Sequence, residues 1–70
     1  MILTQQDRGR KVMLKFINSF GYTNQIAGKI MEVNCDHIEF NHFGTYARRW
    51  IYFEKIRGVE DLPEPIIPIE

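Results

Sequence analysis

The sequence predicts an all-β domain: a small five-stranded barrel with a short N-terminal helical turn and an extended, Pro-rich C-terminal tail. Three observations point there. Short segments of strand-forming residues recur at roughly 8–12-residue intervals, with Asn34-Cys35-Asp36 and Asn41-His42-Phe43-Gly44 as turn chemistry between them. A chain of 70 residues has room for a single core, and one cysteine, Cys35, leaves that core without an internal disulfide. A sheet this small must also hide its edges, and curling closed does so.

Composition agrees. At 44% apolar and 26% charged, the chain is too hydrophobic for disorder and too charged for a membrane span. No apolar run approaches the ~18 residues of a transmembrane helix, and Met1–Thr4 is too short for a signal peptide's apolar stretch. No contact with a membrane is expected, and the single cysteine suggests a reduced, cytoplasmic setting. Residues 1–60 form the barrel domain and 61–70 an acidic Pro/Ile tail.

The elements follow in order. Thr4-Gln-Gln-Asp7 is a relative of the capping box, and Gly9 can end a single helical turn over residues 4–9. A helix that short persists only if it docks on something else. Residues 10–18 fit two periods. As a strand, Val12, Leu14 and Phe16 share a face opposite Lys11, Met13, Lys15 and Ile17; as a helix, Val12, Met13, Phe16, Ile17 and Phe20 make one stripe closed by Gly21. The β pattern downstream favours the strand.

From Gln25 to Val33, Ile26, Gly28 and Ile30 fall on one face, and Gly28 marks a bulge, a bend or a close backbone approach. His37–Asn41 alternates with Ile38 and Phe40 inward, and Gly44 can supply a positive φ in the turn that follows. Thr45–Phe53 is a nine-residue run of strand formers. Glu54-Lys55-Ile56 resembles a 3₁₀ turn, and Arg57–Glu60 a brief closing strand. Three prolines (63, 65 and 68) then exclude helix or central strand and leave an extended, polyproline-like segment.

Little catalytic chemistry is legible. Cys35, His37 and His42, with Asp36 between, are the nearest approach to a ligand set, but a structural zinc site needs four ligands at paired spacings. The same Cys and His residues lack a third catalytic partner and an oxyanion donor. No phosphate loop or dinucleotide fingerprint occurs. The expectation is a non-enzymatic protein without metal or cofactor.

Thr45–Phe53 stands out for a different reason. With Ala47, Ile51 and Phe53 facing the core, Tyr46, Arg48, Trp50 and Tyr52 line the other face. Those residue types are enriched at binding hot spots, so this row is the candidate protein-binding surface. The opposite phase, with Trp50 in the core and Arg49 outside, fits the pattern as well. A strand with large side chains on both faces also suits a homo-oligomer.

Charge offers an alternative. The net charge is zero, yet residues 1–57 carry nine basic and five acidic residues, and residues 58–70 carry four acids and no base. A basic body of Arg8, Arg10, Lys11, Lys15, Arg48 and Arg49 could bind single-stranded RNA or DNA, with aromatic residues as stacking platforms. Ile66, Ile67 and Ile69 give the tail apolar residues that can dock in a groove or exchange between copies.

Two family resemblances enter on particular residues. Gly21, Gly28-Lys29-Ile30, Ile38-Glu39-Phe40 and Phe53-Glu54-Lys55-Ile56, with Asp7-Arg8-Gly9 upstream, resemble the pattern of YolD-like proteins, small proteins of bacteria and phages. That family carries a helical segment between its Asp-Arg-Gly and its β-region, which is missing here. The resemblance implies an accessory protein linked to the DNA-damage response and translesion polymerases. A short N-terminal helix ahead of five strands is similar to Sm-like and SH3-like barrels. It implies RNA binding in a ring, although the Asp/Asn-bearing loop of Sm-like proteins is not recognisable around Val33-Asn34-Cys35-Asp36.

Overall fold

A computed structural model describes residues 3–45 and 47–63. The expected positions Tyr46, Glu64 to Glu70 and, with them, Ile66, Ile67 and Ile69 lie outside the described residues. The chain runs through a 3₁₀ turn η1 (Gln5–Asp7), β1 (Lys11–Ile17), β2 (Thr23–Val33), β3 (His37–His42), β4 (Arg48–Tyr52), a second 3₁₀ turn η2 (Phe53–Lys55) and β5 (Ile56–Asp61). All pairings are antiparallel and the hydrogen-bonded order is β4-β3-β2-β1-β5. The strands form one sheet that does not close into a hydrogen-bonded ring, with β4 and β5 as its two edges.

Residues 11–17 are strand, not helix. Alternation decides it: Val12, Leu14 and Phe16 are buried while Lys11 and Lys15 are exposed. A helix would have left Leu14 in solvent, whereas the strand leaves Met13 and Ile17 half-buried on the outer face. The inner face continues through Ile26, Ile30 and Val33 on β2, Ile38 and Phe40 on β3, and Ile51 on β4, with Leu3 added from ahead of η1. Phe53, Ile56 and Val59 pack against its rim.

Burial on β2 switches from even to odd positions between Ile30 and Val33. The cause is a bulge: Ile30 pairs with Phe40 and Glu32 with Glu39, so Met31 is the extra residue. A second irregularity, between Lys15 and Phe16, leaves Arg57 as the additional residue of β5. Bulges of this kind sharpen local twist and bend the sheet. The bend brings the guanidinium of Arg49, on edge strand β4, over the ring of Phe16 on β1, 5.4 Å from its centroid. These two strands have β3 and β2 between them in the ladder.

Of the three roles open to a glycine inside a strand, a bulge, a bend or a close approach, Gly28 takes the close approach. A Cβ there would meet the Asn41 carbonyl oxygen and lie 2.6 Å from Cε2 of Phe40, whose ring occupies the space above the glycine. Positive φ occurs at Gly9 (89°) and Gly21 (87°), and not at Gly44, where the turn expectation had allowed it.

η1 has the capping box expected from Thr4 and Asp7. The Thr4 amide donates to Asp7 Oδ2 at 2.7 Å, and Thr4 Oγ1 accepts from the Gln6 amide at 3.3 Å. One turn cannot hold itself, and docking supplies the rest. Gln5 Nε2 donates to the Val33 carbonyl, and the Gly9 amide to the Ile30 carbonyl at 2.7 Å. Arg10 then bridges η1 and β5: it contacts Asp7 on one side and donates to Asp61 Oδ1 through Nε (3.0 Å) and a terminal nitrogen (2.6 Å) on the other.

Several element boundaries differ from expectation. β4 spans Arg48–Tyr52 rather than 45–53, because a turn occupies residues 43–45 and the Ala47 amide bonds back to Thr45 Oγ1. Ala47 is therefore exposed and does not face the core. η2 begins one residue earlier than the Glu54-Lys55-Ile56 segment, and β5 extends one residue beyond Arg57–Glu60 at each end. Among the described residues, no helix is long and apolar enough to cross a membrane.

Candidate functional site

β4 pairs with β3 so that Tyr52 lies opposite His37, Ile51 opposite Ile38, Trp50 opposite Glu39 and Arg48 opposite Asn41. Directly opposed residues share a face, so burying Ile38 and Ile51 turns Arg48, Trp50 and Tyr52 outward. Trp50 is 63% exposed and Tyr52 46%, which resolves the phase of this strand. Arg49 points the other way, yet at the open edge of the sheet it reaches Phe16 and stays in solvent.

The row is braced by its neighbours on β3. The His37 ring stacks on the Trp50 indole, centroids 4.4 Å apart at 21°, and meets Tyr52 edge-on at 5.9 Å. Glu39 Oε1 lies 3.6 Å from Arg48. His37 is itself fixed on both nitrogens: Nδ1 is 2.6 Å from Asp36 Oδ1, and Nε2 is 3.2 Å from Asn34 Nδ2. An amide nitrogen can only donate, so Nε2 accepts, and the neutral ring carries its proton on Nδ1, directed at the Asp36 carboxylate. The turn residues of the β2–β3 hairpin thus hold an imidazole as a backing plate for an exposed indole. Pre-set aromatic area of this kind adds little ordering cost on binding.

Beside the row lies a groove of about 270 Å³ between β4 and the end of β1, walled by Phe16, Asn18, Arg49, Trp50, Tyr52 and Lys55. It holds two cations and no carboxylate among its described lining residues. The β1–β2 loop that borders it carries two aromatics not singled out from the sequence as contact residues, Phe20 (84% exposed) and Tyr22 (72%). Asn18 organises this loop: its Oδ1 accepts from the amides of Phe20 (2.9 Å) and Tyr22 (3.1 Å), and Gly21 takes the left-handed conformation. The legible signal was Asn18-x-x-Gly21, turn chemistry enclosing an aromatic that cannot be in the core if 11–17 is a strand.

Three of the basic residues proposed for nucleic acid have carboxylate partners. Arg8 pairs with Glu32 at 3.4 Å, Arg48 with Glu39, and Arg10 with both Asp7 and Asp61. Those two acids raise the Arg10 pKa further, Asp61 contributing most. Asp7 is correspondingly held below the ordinary carboxylate value, first by the Thr4 amide and then by Arg10. Lys11 and Lys15 lie on the outer face of β1, and Arg49 stands apart at the groove.

Cys35 is exposed in the β2–β3 turn, its Sγ 4.0 Å from Asp36 Oδ1. The two nitrogens of His37 go to Asp36 and Asn34 rather than to the thiol. Among the described residues no group of three His, Cys, Asp or Glu side chains is arranged to hold a metal ion.

No family model matches this chain, and no curated protein matches its sequence.

Proposed function

We propose that this chain is a non-enzymatic interaction module, a small SH3-like barrel that binds another protein through Arg48, Trp50 and Tyr52. The observation that carries this is the stack of Trp50 on a doubly anchored His37, which presents a large aromatic surface already in place. The bend that sets Arg49 over Phe16 across two intervening strands supports the barrel reading, while no hydrogen-bonded ladder joins β4 to β5. The YolD-like resemblance extends the proposal to an accessory role in the bacterial or phage DNA-damage response.

Single-stranded nucleic acid is the alternative ligand, favoured by Arg49 and Lys55 beside Trp50 and Tyr52. It ranks second because Arg8, Arg10 and Arg48 already have carboxylate partners. The test is capture from the native host with the tagged chain and with Trp50→Ala/Tyr52→Ala, alongside gel shifts with single-stranded RNA and DNA at low salt. Proteins held by the native chain and lost by the double variant support the proposal. A complete partner set on the variant, or a salt-sensitive shift without any protein partner, overturns it.

A further inference from the structure

From the groove beside Trp50 we infer that this protein associates with itself, the acidic Pro/Ile segment 64–70 of one copy lying in the β1–β4 groove of another. The inference rests on the reading of Trp50 and Tyr52 as contact residues and names one occupant for their surroundings.

Complementarity is the first ground. The groove has apolar walls from Phe16, Trp50 and Tyr52 and two cations, Arg49 and Lys55. Neither cation has a carboxylate within 4 Å among the described residues, whereas Arg8, Arg10 and Arg48 each do. The groove calls for an extended, apolar segment bearing negative charge and few amide donors. Glu64-Pro-Ile-Ile-Pro-Ile-Glu70 has that chemistry: three aliphatic residues, two prolines without an N–H and two carboxylates. Its prolines also lower the entropy lost when it is fixed.

Geometry is the second ground, and it favours a second copy over the same one. Asp61 pairs with Val12, and the Leu62 amide bonds the Lys11 carbonyl at 3.0 Å. Leu62 therefore lies at the end of β1 opposite the groove, and Arg10 clamps Asp61 there. Returning along β1 from Val12 to Ile17 takes about 17 Å, and lying along β4 from Arg49 to Tyr52 about 10 Å more. Residues 64–70 in polyproline form span only about 22 Å. The segment cannot make the return and also fill its own groove.

The test uses the full chain. Sedimentation velocity between about 1 and 300 µM should show mass rising with concentration, while Trp50 emission shifts to the blue. Two charge-reversed chains, Arg49→Glu/Lys55→Glu and Glu64→Lys/Glu70→Lys, should each remain monomeric at 300 µM. Mixing them should restore association, because each then offers the groove or segment that suits the other. The second variant alters no core residue, so it decides the matter even if Arg49→Glu perturbs folding. A native chain that is monomeric throughout, association that survives either reversal, or a mixture that stays monomeric overturns the inference. A Trp50 emission that is independent of concentration but shifts red in Glu64→Lys/Glu70→Lys would assign the segment to its own groove and overturn it too. None of these results bears on capture of a separate protein by Trp50 and Tyr52, so the two readings fail independently.

Discussion

His37 and Trp50 stack across the β3–β4 pair with ring centroids 4.4 Å apart, although they are diagonal rather than directly opposed in the register. Right-handed strand twist brings such diagonals together. The same offset carries Glu39 towards Arg48. The outer face of this hairpin is thus a set of diagonal pairs, each joining an exposed β4 side chain to a less exposed β3 partner.

The stack has a measurable energy. In a double-mutant cycle of His37→Ala and Trp50→Ala, urea unfolding should give a coupling of about 0.5–1.5 kcal/mol, the usual range for aromatic pairs beyond area burial. Trp50→Ala alone should cost little beyond that coupling, because the indole is mostly in solvent. Zero coupling would mean that the two rings orient independently.

Gly28 leaves no room for a side chain. Gly28→Ala should destabilise the domain by roughly 1–3 kcal/mol or more, as overpacking does, since the Asn41 carbonyl belongs to the ladder and cannot retreat. Thermal denaturation compares it with Gly58→Ala, where the nearest atom to an added Cβ is Lys15 Cβ at 3.7 Å. Equal midpoints for the two variants would contradict the tight fit.

Asp7 makes stability depend on acid in a stated direction. Its folded pKa lies below the ordinary 3.8, so its contribution is fully present above that value and is lost as pH falls through the lower, folded one. Native chain and Asp7→Ala should therefore differ by a constant amount from pH 7 to about pH 5. The difference should shrink only as the pH drops through and below 3.8. Chemical denaturation at a series of pH values checks this, and a difference that disappears nearer neutrality would exclude the mechanism.

Asn18 should matter to its loop more than to the fold. Asn18→Ala removes the acceptor for the Phe20 and Tyr22 amides, at a net cost of about 1 kcal/mol if both simply return to water. Hydrogen exchange at residues 19–22 should accelerate while the protected amides of β1 and β2 keep their rates. Uniform acceleration would show that the loop is part of the global folding unit.

Local patterns were enough to read much of this protein from its sequence. Alternation at Val12, Leu14 and Phe16, the turn residues at 34–36, the Thr4/Asp7 cap and the interrupting Gly28 each depend on neighbours a few positions away, and each is present. The candidate row was legible as composition but not as orientation, since β4 has large side chains on both faces. Only pairing Ile51 with the fully buried Ile38 turned Trp50 outward. The bulge at Met31, the Arg10 bridge between Asp7 and Asp61, and the approach of Arg49 to Phe16 join residues far apart in the chain. Such contacts depend on register and sheet curvature, which emerge only when all five strands compete for one core.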